Sequence, residues 1–257
     1  MKRVTAFIGS PRKRATYQAV QEFEKNLKSY GEIEFEYVFL KDYKLDFCTG
    51  CCLCFDKGEE FCPLQDDRDI LLEKLYQSDG VVFATPSYSF QVTAPMKNLL
   101  DRMAFCHHRP RFFDKTFTAI VTYGIYGGDS IVKYLESMGQ NFGFKTTRGC
   151  SLMTLEPRTE SQQAKISEKI SQVSRRFFEE MMSQRPMPPS FMQVFVFRLS
   201  RTAIKLLLDE NWRDYRYYKE KGWLESGYYY DVKLGFGKKL AGRLSDYIGK
   251  SMVKRRS

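Results

Sequence analysis

The stretch that decides the fold lies near the start of the chain and reads Val4-Thr5-Ala6-Phe7-Ile8-Gly9-Ser10-Pro11-Arg12-Lys13-Arg14-Ala15-Thr16. Its first half is rich in β-branched and aromatic residues, which predicts a buried strand. Gly9 and Pro11 end that strand, and Thr16 opens a helical pattern of apolar residues. A basic loop between a strand and a helix N-terminus is a suitable anion site, because backbone amides and the helix dipole both favour negative charge there. The hydroxyls of Ser10 and Thr16 add further donors.

Two common nucleotide-binding motifs do not fit this loop. It lacks the second glycine followed by Lys-Ser or Lys-Thr that defines a P-loop, and it lacks the Gly-x-Gly-x-x-Gly of a dinucleotide-binding turn. One remaining interpretation is a phosphate monoester held by hydroxyls, amides and one of Arg12, Lys13 or Arg14. The other is a strand–helix turn whose basic side chains are simply solvated.

The 257-residue chain is long enough for one α/β domain with an extension. No signal-peptide pattern follows Met1, and no apolar run is long and uncharged enough to span a bilayer. Seven cysteines without a secretory signal favour a reducing compartment, where clustered thiols serve as ligands or redox groups more often than as disulfides. We therefore expect a cytoplasmic protein.

The net charge of +10 lies almost entirely in the last third of the chain. Residues 183–257 hold 16 Lys and Arg against 7 Asp and Glu, a balance of +9, which leaves +1 for residues 1–182. A chain that binds nucleic acid along its length would carry its basic excess throughout. We therefore expect no nucleic-acid partner.

Strand and helix patterns alternate along residues 1–182. Further strands are predicted at residues 32–40, 80–85, 116–123 and 145–154, the first of them at a sheet edge. Further helices are predicted at residues 69–76, 96–105, 129–142 and 160–182. This alternation predicts a doubly wound, five-stranded parallel sheet covered by helices on both faces.

Three loops are expected to meet at one edge of this sheet. Open α/β sheets bind ligands beyond the carboxyl ends of their strands, where the strand order reverses. The loops concerned are residues 9–16, 86–90 and 123–128. The first carries hydroxyls and cations, the second reads Pro-Ser-Tyr-Ser-Phe, and the third is glycine-rich with two tyrosines. A phosphate at the first loop and a flat aromatic ring between the other two is the layout of a flavin mononucleotide (FMN) site.

Two motifs resemble the NAD(P)H-dependent FMN reductase branch of the flavodoxin-like family. The first is Gly-Ser-Pro-Arg-Lys followed by a small residue and a threonine, at residues 9–16. The second reads Ala-Thr-Pro-Ser-Tyr-Ser-Phe at residues 84–90 and Thr-Ala-Pro-Met-Lys-Asn-Leu-Leu-Asp-Arg at residues 93–102. The resemblance covers roughly residues 1–180 and implies a flavodoxin-like fold, FMN as cofactor and NAD(P)H as substrate.

The resemblance also implies which residues hold FMN. They are Ser10, Arg12 and Thr16 at the phosphate, Pro86, Ser87, Tyr88 and Ser89 along the isoalloxazine edge, and Gly124 and Gly127 where backbone approaches the ring. Arg14 departs from the family pattern, since relatives often carry a small or polar residue there. No catalytic acid or base is assigned, because hydride transfer to a flavin depends on stacking geometry more than on a protein proton donor.

Five of the seven cysteines lie in residues 47–63, which we call the cysteine loop. Two residues separate Cys48 from Cys51 and Cys51 from Cys54, and Cys62 precedes a proline. Three close thiolates with a distant Cys-Pro are similar to ferredoxin ligation of a [4Fe-4S] cluster, although the last gap is longer here. Zinc sites usually use two separated Cys-x-x-Cys pairs. Unliganded thiols are the third interpretation.

The compact cysteine spacing resembles the iron–sulfur flavoproteins, a subgroup of the same family. This resemblance implies that Cys48, Cys51, Cys54 and Cys62 ligate a cluster that exchanges single electrons with FMN. Cys52 falls out of register and is not expected to be a ligand. Cys106 and Cys150 are interpreted as small buried hydrophobes.

Residues 183–257 predict a helical, aromatic and basic extension behind a stiff Pro-rich linker. Arg198, Arg201 and Lys205 recur at helical spacing and predict a basic stripe, and a second amphipathic pattern runs from Leu240 to Met252. These helices either pack on the domain or across a dimer, or they contact a membrane surface or an anionic partner.

Two functions follow from these observations. The first is a cytoplasmic FMN-dependent oxidoreductase that moves electrons from NAD(P)H or a ferredoxin-like donor, through FMN and a possible [4Fe-4S] cluster, to an acceptor. The second is a non-enzymatic flavin redox sensor or docking protein that engages a membrane or protein through its basic C-terminal helices. In both, residues 1–182 form the FMN-binding domain with an insert at 47–63, and residues 183–257 form the extension. The resemblance also implies a homo-oligomer.

Overall fold

The computed structural model describes residues 1–183 and 185–255. Backbone contacts divide the chain into two compact units. Met1–Thr49 and Leu64–Arg185 form the sheet unit, and Gly50–Pro63 and Pro186–Ser257 form the helical unit. In chain order the elements are β1 Lys2–Ile8, α1 Ala15–Tyr30, β2 Ile33–Phe39, α2 Leu53–Asp56, α3 Arg68–Gln77, β3 Gly80–Pro86, α4 Ala94–Arg102, α5 Phe105–His108, β4 Thr116–Tyr123, α6 Gly128–Phe142, β5 Lys145–Thr146, β6 Cys150–Met153, α7 Glu160–Met182, α8 Phe191–Leu207, α9 Arg213–Glu220 and α10 Phe236–Lys254.

The sheet confirms the predicted flavodoxin-like architecture. All its strands are parallel and follow the order β2-β1-β3-β4-β5, with β2 at one edge as expected. The central strands are buried on both faces because helices cover them. The buried stripe of α1, which includes Phe23, packs against α7, where the ring of Phe177 lies 5.3 Å away edge-on.

The fifth strand differs from the prediction of one continuous strand at residues 145–154. It is split into β5 and β6, and both segments pair with β4. Thr116 faces Lys145 whereas Ile120 faces Cys150, so the edge strand contains one extra residue, as in a β-bulge. Only glycine fits at position 149, because a Cβ there would lie 2.2 Å from the carbonyl oxygen of Ala119.

Two predicted helix boundaries also change. The helix expected at residues 96–105 ends at Arg102, and a separate turn of helix, α5, follows it. Helix α6 begins at Gly128, one residue before its predicted start, and is preceded by Gly127 in the left-handed conformation, with φ of 92°. The sequence offers Asp129 and Ser130 as N-cap residues, but both lie inside the helix. Asp129 instead accepts a hydrogen bond from Ser151, which ties the first turn of α6 to β6.

The helical unit is built on aromatic packing and a tight helix pair. Trp223, Tyr218 and Tyr229 pack edge to face, with ring centroids 5.1 Å and 4.7 Å from Trp223. Helices α8 and α10 make the most extensive contact in this unit. Of the helices in the described part of the chain, none combines the length and apolar character needed to cross a membrane.

Most of the cysteine loop groups with the helical unit. The sequence predicts that residues 47–63 are an insert in the first domain. In the structure, Gly50–Pro63 belongs to the unit formed by the C-terminal extension, because α2 packs against α9. The guanidinium of Arg216 on α9 also donates to the carbonyl oxygen of Lys57, at 3.1 Å.

A buried ion pair joins the two ends of the cysteine loop within the sheet unit. The Asp66 carboxylate pairs with Arg102 of α4, and both side chains are almost completely buried. The backbone amides of Asp46 and Arg68 donate to the same carboxylate at 2.9 Å and 3.1 Å. Burial alone would raise the pKa of Asp66, but the hydrogen bonds from Arg102 and these two amides outweigh it and hold the pKa below its usual value.

We expect Asp66→Asn to lower the free energy of unfolding by about 3–5 kcal/mol, because it breaks a buried ion pair by removing one of its charges. Urea unfolding measures this. Asp101→Asn is the control, since Asp101 forms an exposed pair with Lys97 on the same helix and its loss should change stability by at most about 1 kcal/mol.

The pH dependence gives a second readout of the same pair. Because the folded pKa of Asp66 lies below its unfolded value of about 3.9, the stabilisation is complete above that value and is lost as the pH falls through the folded pKa. The difference between wild type and Asp66→Asn should therefore shrink in acid. A difference that stays constant down to complete acid unfolding would contradict this account.

Candidate functional site

A cleft of about 470 Å³ lies at the carboxyl edge of the sheet. It is lined by residues that follow β1, β3, β4 and β6, as the strand-order rule predicts. Seven residues predicted to bind a cofactor line it: Ser10, Arg12, Thr16, Pro86, Ser87, Tyr88 and Gly124. Ser89 and Gly127 do not line it but lie in two neighbouring turns.

The N-terminus of α1 points its backbone donors at this cleft. Among the described side chains, none caps the first turn of the helix, whose N-cap position is Arg14. The loop before it is closed by Ser10, whose hydroxyl donates to the Arg12 carbonyl at 2.9 Å and accepts from the Arg12 amide at 3.3 Å. The unsatisfied amides of the first helical turn are therefore left for an anion.

Buried hydroxyls hold this loop rigidly against the sheet. Thr16 and Thr122 lie 2.7 Å apart through their Oγ1 atoms, which pins the start of α1 to the end of β4. The hydroxyl of Thr93 donates to the Gly9 carbonyl at 2.9 Å, which fixes the end of β1 to the start of α4. The position of the loop is thus set by hydrogen bonds from two other elements.

The same end of the cleft is strongly cationic. Neither Arg12 nor Arg14 forms an ion pair with a carboxylate in the part of the chain that the structure describes. One guanidinium nitrogen of Arg12 lies 3.5 Å from the hydroxyl of Tyr88, at the limit of a hydrogen bond. Two arginines without counter-charges beside an uncapped helix N-terminus favour a phosphate group.

The segment after β6 also lines the cleft, although its residues are not among those predicted from the sequence. Thr154, Leu155, Glu156 and Arg158 contribute to the wall, and Arg158 pairs with Glu156 at 2.6 Å. The signal that could have found them is their position, because they follow a strand whose carboxyl end reaches the same sheet edge.

The second and third loops meet through an aromatic stack. Ser89 and Phe90 are the central residues of a tight turn, with φ of 48° and 61°. A turn with two left-handed residues ordinarily uses Asn-Gly, so this backbone is strained. The exposed ring of Phe90 stacks on Tyr126 at 4.9 Å, and Gly127 lies directly beneath it. This stack explains why Ser89 and Gly127 flank the cleft instead of lining it.

A larger groove of about 690 Å³ lies between α6, β6 and α7. Its charged side chains form hydrogen bonds with backbone N–H and C=O groups of the edge strand and the residues beside it. Glu136 accepts from the Gly149 amide at 2.7 Å, Lys169 donates to the Ser151 carbonyl at 3.1 Å, and Arg176 donates to the Arg148 carbonyl at 3.3 Å. Such side chains protect an edge strand from pairing with another chain. We therefore place the ligand site in the smaller cleft.

The predicted cluster ligands are accessible thiols on a loop. Cys48, Cys51 and Cys52 are exposed, Cys54 and Cys62 are half-buried, and Cys106 and Cys150 are buried as expected. Burial raises the pKa of Cys150 to about 12, which makes its thiol inert. Within residues 1–183 and 185–255, no three His, Cys, Asp or Glu side chains are grouped closely enough to hold a metal. The structure therefore supplies a donor set of the right chemistry without gathering it into a site.

Comparisons with known proteins agree on one family. The family model described as NADPH-dependent FMN reductase matches residues 2–155. An iron–sulfur flavoprotein of Archaeoglobus fulgidus is 30% identical over 227 residues, which cover 86% of this chain and all of that protein. An iron–sulfur flavoprotein of Clostridioides difficile is 26% identical over 230 residues, covering 87% of this chain and 98% of that protein.

Solved structures share the fold of the sheet unit. The chain is similar to NAD(P)H:quinone oxidoreductase from Methanothermobacter marburgensis, with a TM-score of 0.55 and 17% identity over 68% of this chain and 96% of that one. It is also similar to an azoreductase from Bacillus anthracis, with a TM-score of 0.51 and 16% identity over 70% and 99% of the two chains.

The two predicted site glycines should respond differently to alanine. We expect Gly127→Ala to destabilise the protein by about 1–3 kcal/mol, because its φ of 92° is strained for any other residue and its Cβ would lie 3.0 Å from the Phe90 ring. Gly124→Ala is the matched control, since no atom lies within 4 Å of a Cβ there. Thermal unfolding with near-UV circular dichroism of the Phe90–Tyr126 stack measures both. Equal melting temperatures for the two variants would show that the third loop is not built as described.

Proposed function

Because the chain belongs to the NADPH-dependent FMN reductase family, we propose that the cleft binds FMN with its phosphate at the N-terminus of α1. One observation carries this proposal: an uncapped helix N-terminus faces the cleft beside two arginines that have no carboxylate partner among the described residues. Bound FMN supplies hydride chemistry, since it accepts a hydride from NAD(P)H and releases the electrons to an acceptor.

At the phosphate end, the protein provides complementary charge in a fixed frame. The first amides of α1 are placed to donate, and Arg12 and Arg14 supply positive charge. The Thr16 hydroxyl can donate when Thr122 is the donor in their pair, and the Ser10 hydroxyl can donate when it releases the Arg12 carbonyl. The loop needs little rearrangement on binding, because Thr122 and Thr93 already hold it. A preorganised loop of this kind loses less entropy when the phosphate arrives.

At the other end, the protein provides a flat, partly apolar opening. Pro86, Ser87, Tyr88 and Leu155 line this part of the cleft, and Gly124 leaves room for a ring to approach backbone. Ser89 and Gly127 act indirectly, since their turns position the Phe90–Tyr126 stack beside the opening. In this proposal, these residues orient the flavin ring.

The cysteine loop extends this function in our proposal. Four thiols with the predicted spacing, together with relatives that are iron–sulfur flavoproteins, support a [4Fe-4S] cluster held by Cys48, Cys51, Cys54 and Cys62. Such a cluster exchanges single electrons. The electron donor is then NAD(P)H or a ferredoxin-like protein, and the family resemblance favours a homo-oligomer. Membership in a reductase family favours this enzyme over the non-enzymatic sensor considered from the sequence.

We expect Arg12→Gln and Arg14→Gln each to weaken FMN binding by about 10- to 100-fold, because a hydrogen bond to a charged group contributes about 1.5–3 kcal/mol. Titration of the apoprotein with FMN and with riboflavin, followed by flavin fluorescence, measures this. Riboflavin lacks the phosphate, so its affinity should not change in either variant.

Lys28→Gln is the control variant, since Lys28 lies in the last turn of α1 and pairs with Glu24. Equal losses for FMN and riboflavin would place the phosphate elsewhere. A wild-type protein that binds neither flavin would remove the proposal altogether.

We expect protein purified without oxygen to contain about four iron and four sulfide per chain, as a [4Fe-4S] cluster requires. Cys48→Ser, Cys51→Ser, Cys54→Ser and Cys62→Ser should each lose most of this iron, whereas Cys52→Ser should keep it. Metal analysis and the visible spectrum measure iron separately from FMN. About one zinc per chain would favour the zinc interpretation, and iron loss in Cys52→Ser equal to that in the other four would contradict the ligand set.

A further inference from the structure

We propose that the helical unit docks on an anionic phospholipid surface through the exposed apolar side of α10, which we call the docking face. This inference goes beyond the flavin and cluster sites and does not depend on them. Five large apolar residues of α10 are exposed: Phe236, Leu240, Leu244, Tyr247 and Met252.

The apolar residues face outward because the small residues of α10 face inward. Gly242, Ser245 and Gly249 are buried against α8. The hydroxyl of Ser245 donates to the Phe195 carbonyl at 2.6 Å, and a Cβ at Gly249 would lie 3.1 Å from Thr202. The helices approach closely along this small-residue side. The bulky side of α10 is therefore left toward solvent.

The exposed residues of α10 form one stripe along the helix. Phe236, Leu240, Leu244 and Tyr247 are spaced by four, four and three residues, and their exposures run from 55% to 84%. The stripe continues along most of a 19-residue helix, which is about 28 Å long. Helices α8 and α10 pack side by side in the same direction, since Phe191 contacts position 237 and Thr202 contacts position 249. A stripe parallel to the axis fits a flat surface, not the insertion of one end.

The α10 charges that have no ion-pair partner among the described residues are positive. They include Lys239, Arg243 and Lys250, and these three are exposed. Helix α8 contains no acidic residue, and the one acid of α10 is Asp246. Apolar side chains flanked by lysine and arginine are typical of helices that lie in the headgroup region of a membrane.

The basic stripe that the sequence predicts on α8 forms ion pairs in the structure. The stripe of Arg198, Arg201 and Lys205 was expected to be basic surface. Instead, Arg198 and Arg201 both bind the Asp246 carboxylate, and Arg201 does so at 2.8 Å. Lys205 pairs with Glu225 at 2.5 Å. These contacts neutralise Asp246, so no negative charge opposes an anionic surface along α10.

Charge favours lipid over a second copy of this chain as the occupant. Two copies joined face to face would bring the same lysines and arginines together, which is unfavourable between like charges. Anionic headgroups complement these cations, and the acyl boundary covers the apolar stripe. Contact is peripheral, since no helix of the described chain is suited to span a bilayer.

Sedimentation of the full chain with vesicles tests this proposal. Vesicles of phosphatidylcholine with phosphatidylglycerol should retain the wild-type protein, and vesicles of phosphatidylcholine alone should retain at least ten-fold less. Lys239→Gln with Arg243→Gln and Lys250→Gln should reduce binding to the anionic vesicles by about 100-fold, as the loss of three surface cations predicts. Leu240→Glu with Leu244→Glu should abolish it.

The control is a charge-matched triple variant of the helical unit, Lys219→Gln with Lys221→Gln and Lys233→Gln. These three lysines lie outside α8 and α10. The control variant should therefore bind the anionic vesicles much more strongly than the α10 triple variant does. Circular dichroism and thermal unfolding show that each variant is folded. Equal binding of the two triple variants, or of wild type to neutral and anionic vesicles, would overturn the proposal. The alternative outcome is a wild-type protein that does not bind vesicles and is a dimer in solution. If Leu240→Glu with Leu244→Glu then converts the dimer to a monomer, the docking face belongs to a second copy of the chain.

Discussion

The parallel pairing of β1 with β2 on one side and β3 on the other is the constraint on which the rest of the structure depends. Parallel neighbours require a crossover connection, so each strand must be followed by a helix and every carboxyl end lies at the same sheet edge. Loops that are more than a hundred residues apart in sequence, such as those at Ser10 and Gly124, are thereby brought to one cleft. The topology therefore sets the position of the site, and the side chains on these loops set its chemistry.

The parts that the sequence predicted well are those where a local pattern and the topology agree. Strand β4 and helix α7 have the predicted bounds, because each carries an uninterrupted pattern of its own period. The broken edge strand was missed because it depends on the Ala119 carbonyl and Glu136, which are distant in sequence from Gly149. The strained turn at Ser89 was missed because its residues do not ordinarily adopt left-handed φ values.

The cysteine loop shows a different limit of sequence reasoning. Spacing identifies the donors, but the elements that hold the loop are far away along the chain. Asp66, just after the loop, forms an ion pair with Arg102. Arg216, which is 159 residues away from Lys57 in the sequence, donates a hydrogen bond to the Lys57 carbonyl. The C-terminal extension, which looked like a separate addition, shares a compact unit with most of this loop. Its aromatic residues are then explained as the core of that unit.

Helix α10 inverts the usual distribution of residues in an amphipathic helix. A helix on the surface of a globular protein normally turns its bulky apolar residues inward and its small or charged residues outward. Here glycine and serine face the partner helix, while Phe236 and Tyr247 stand 84% and 72% exposed. Contiguous apolar surface of this kind is uncommon on monomeric proteins and marks an interaction site. Arg198 and Arg201 neutralise Asp246, the one acidic residue of α10. The docking face is therefore apolar and carries no uncompensated negative charge.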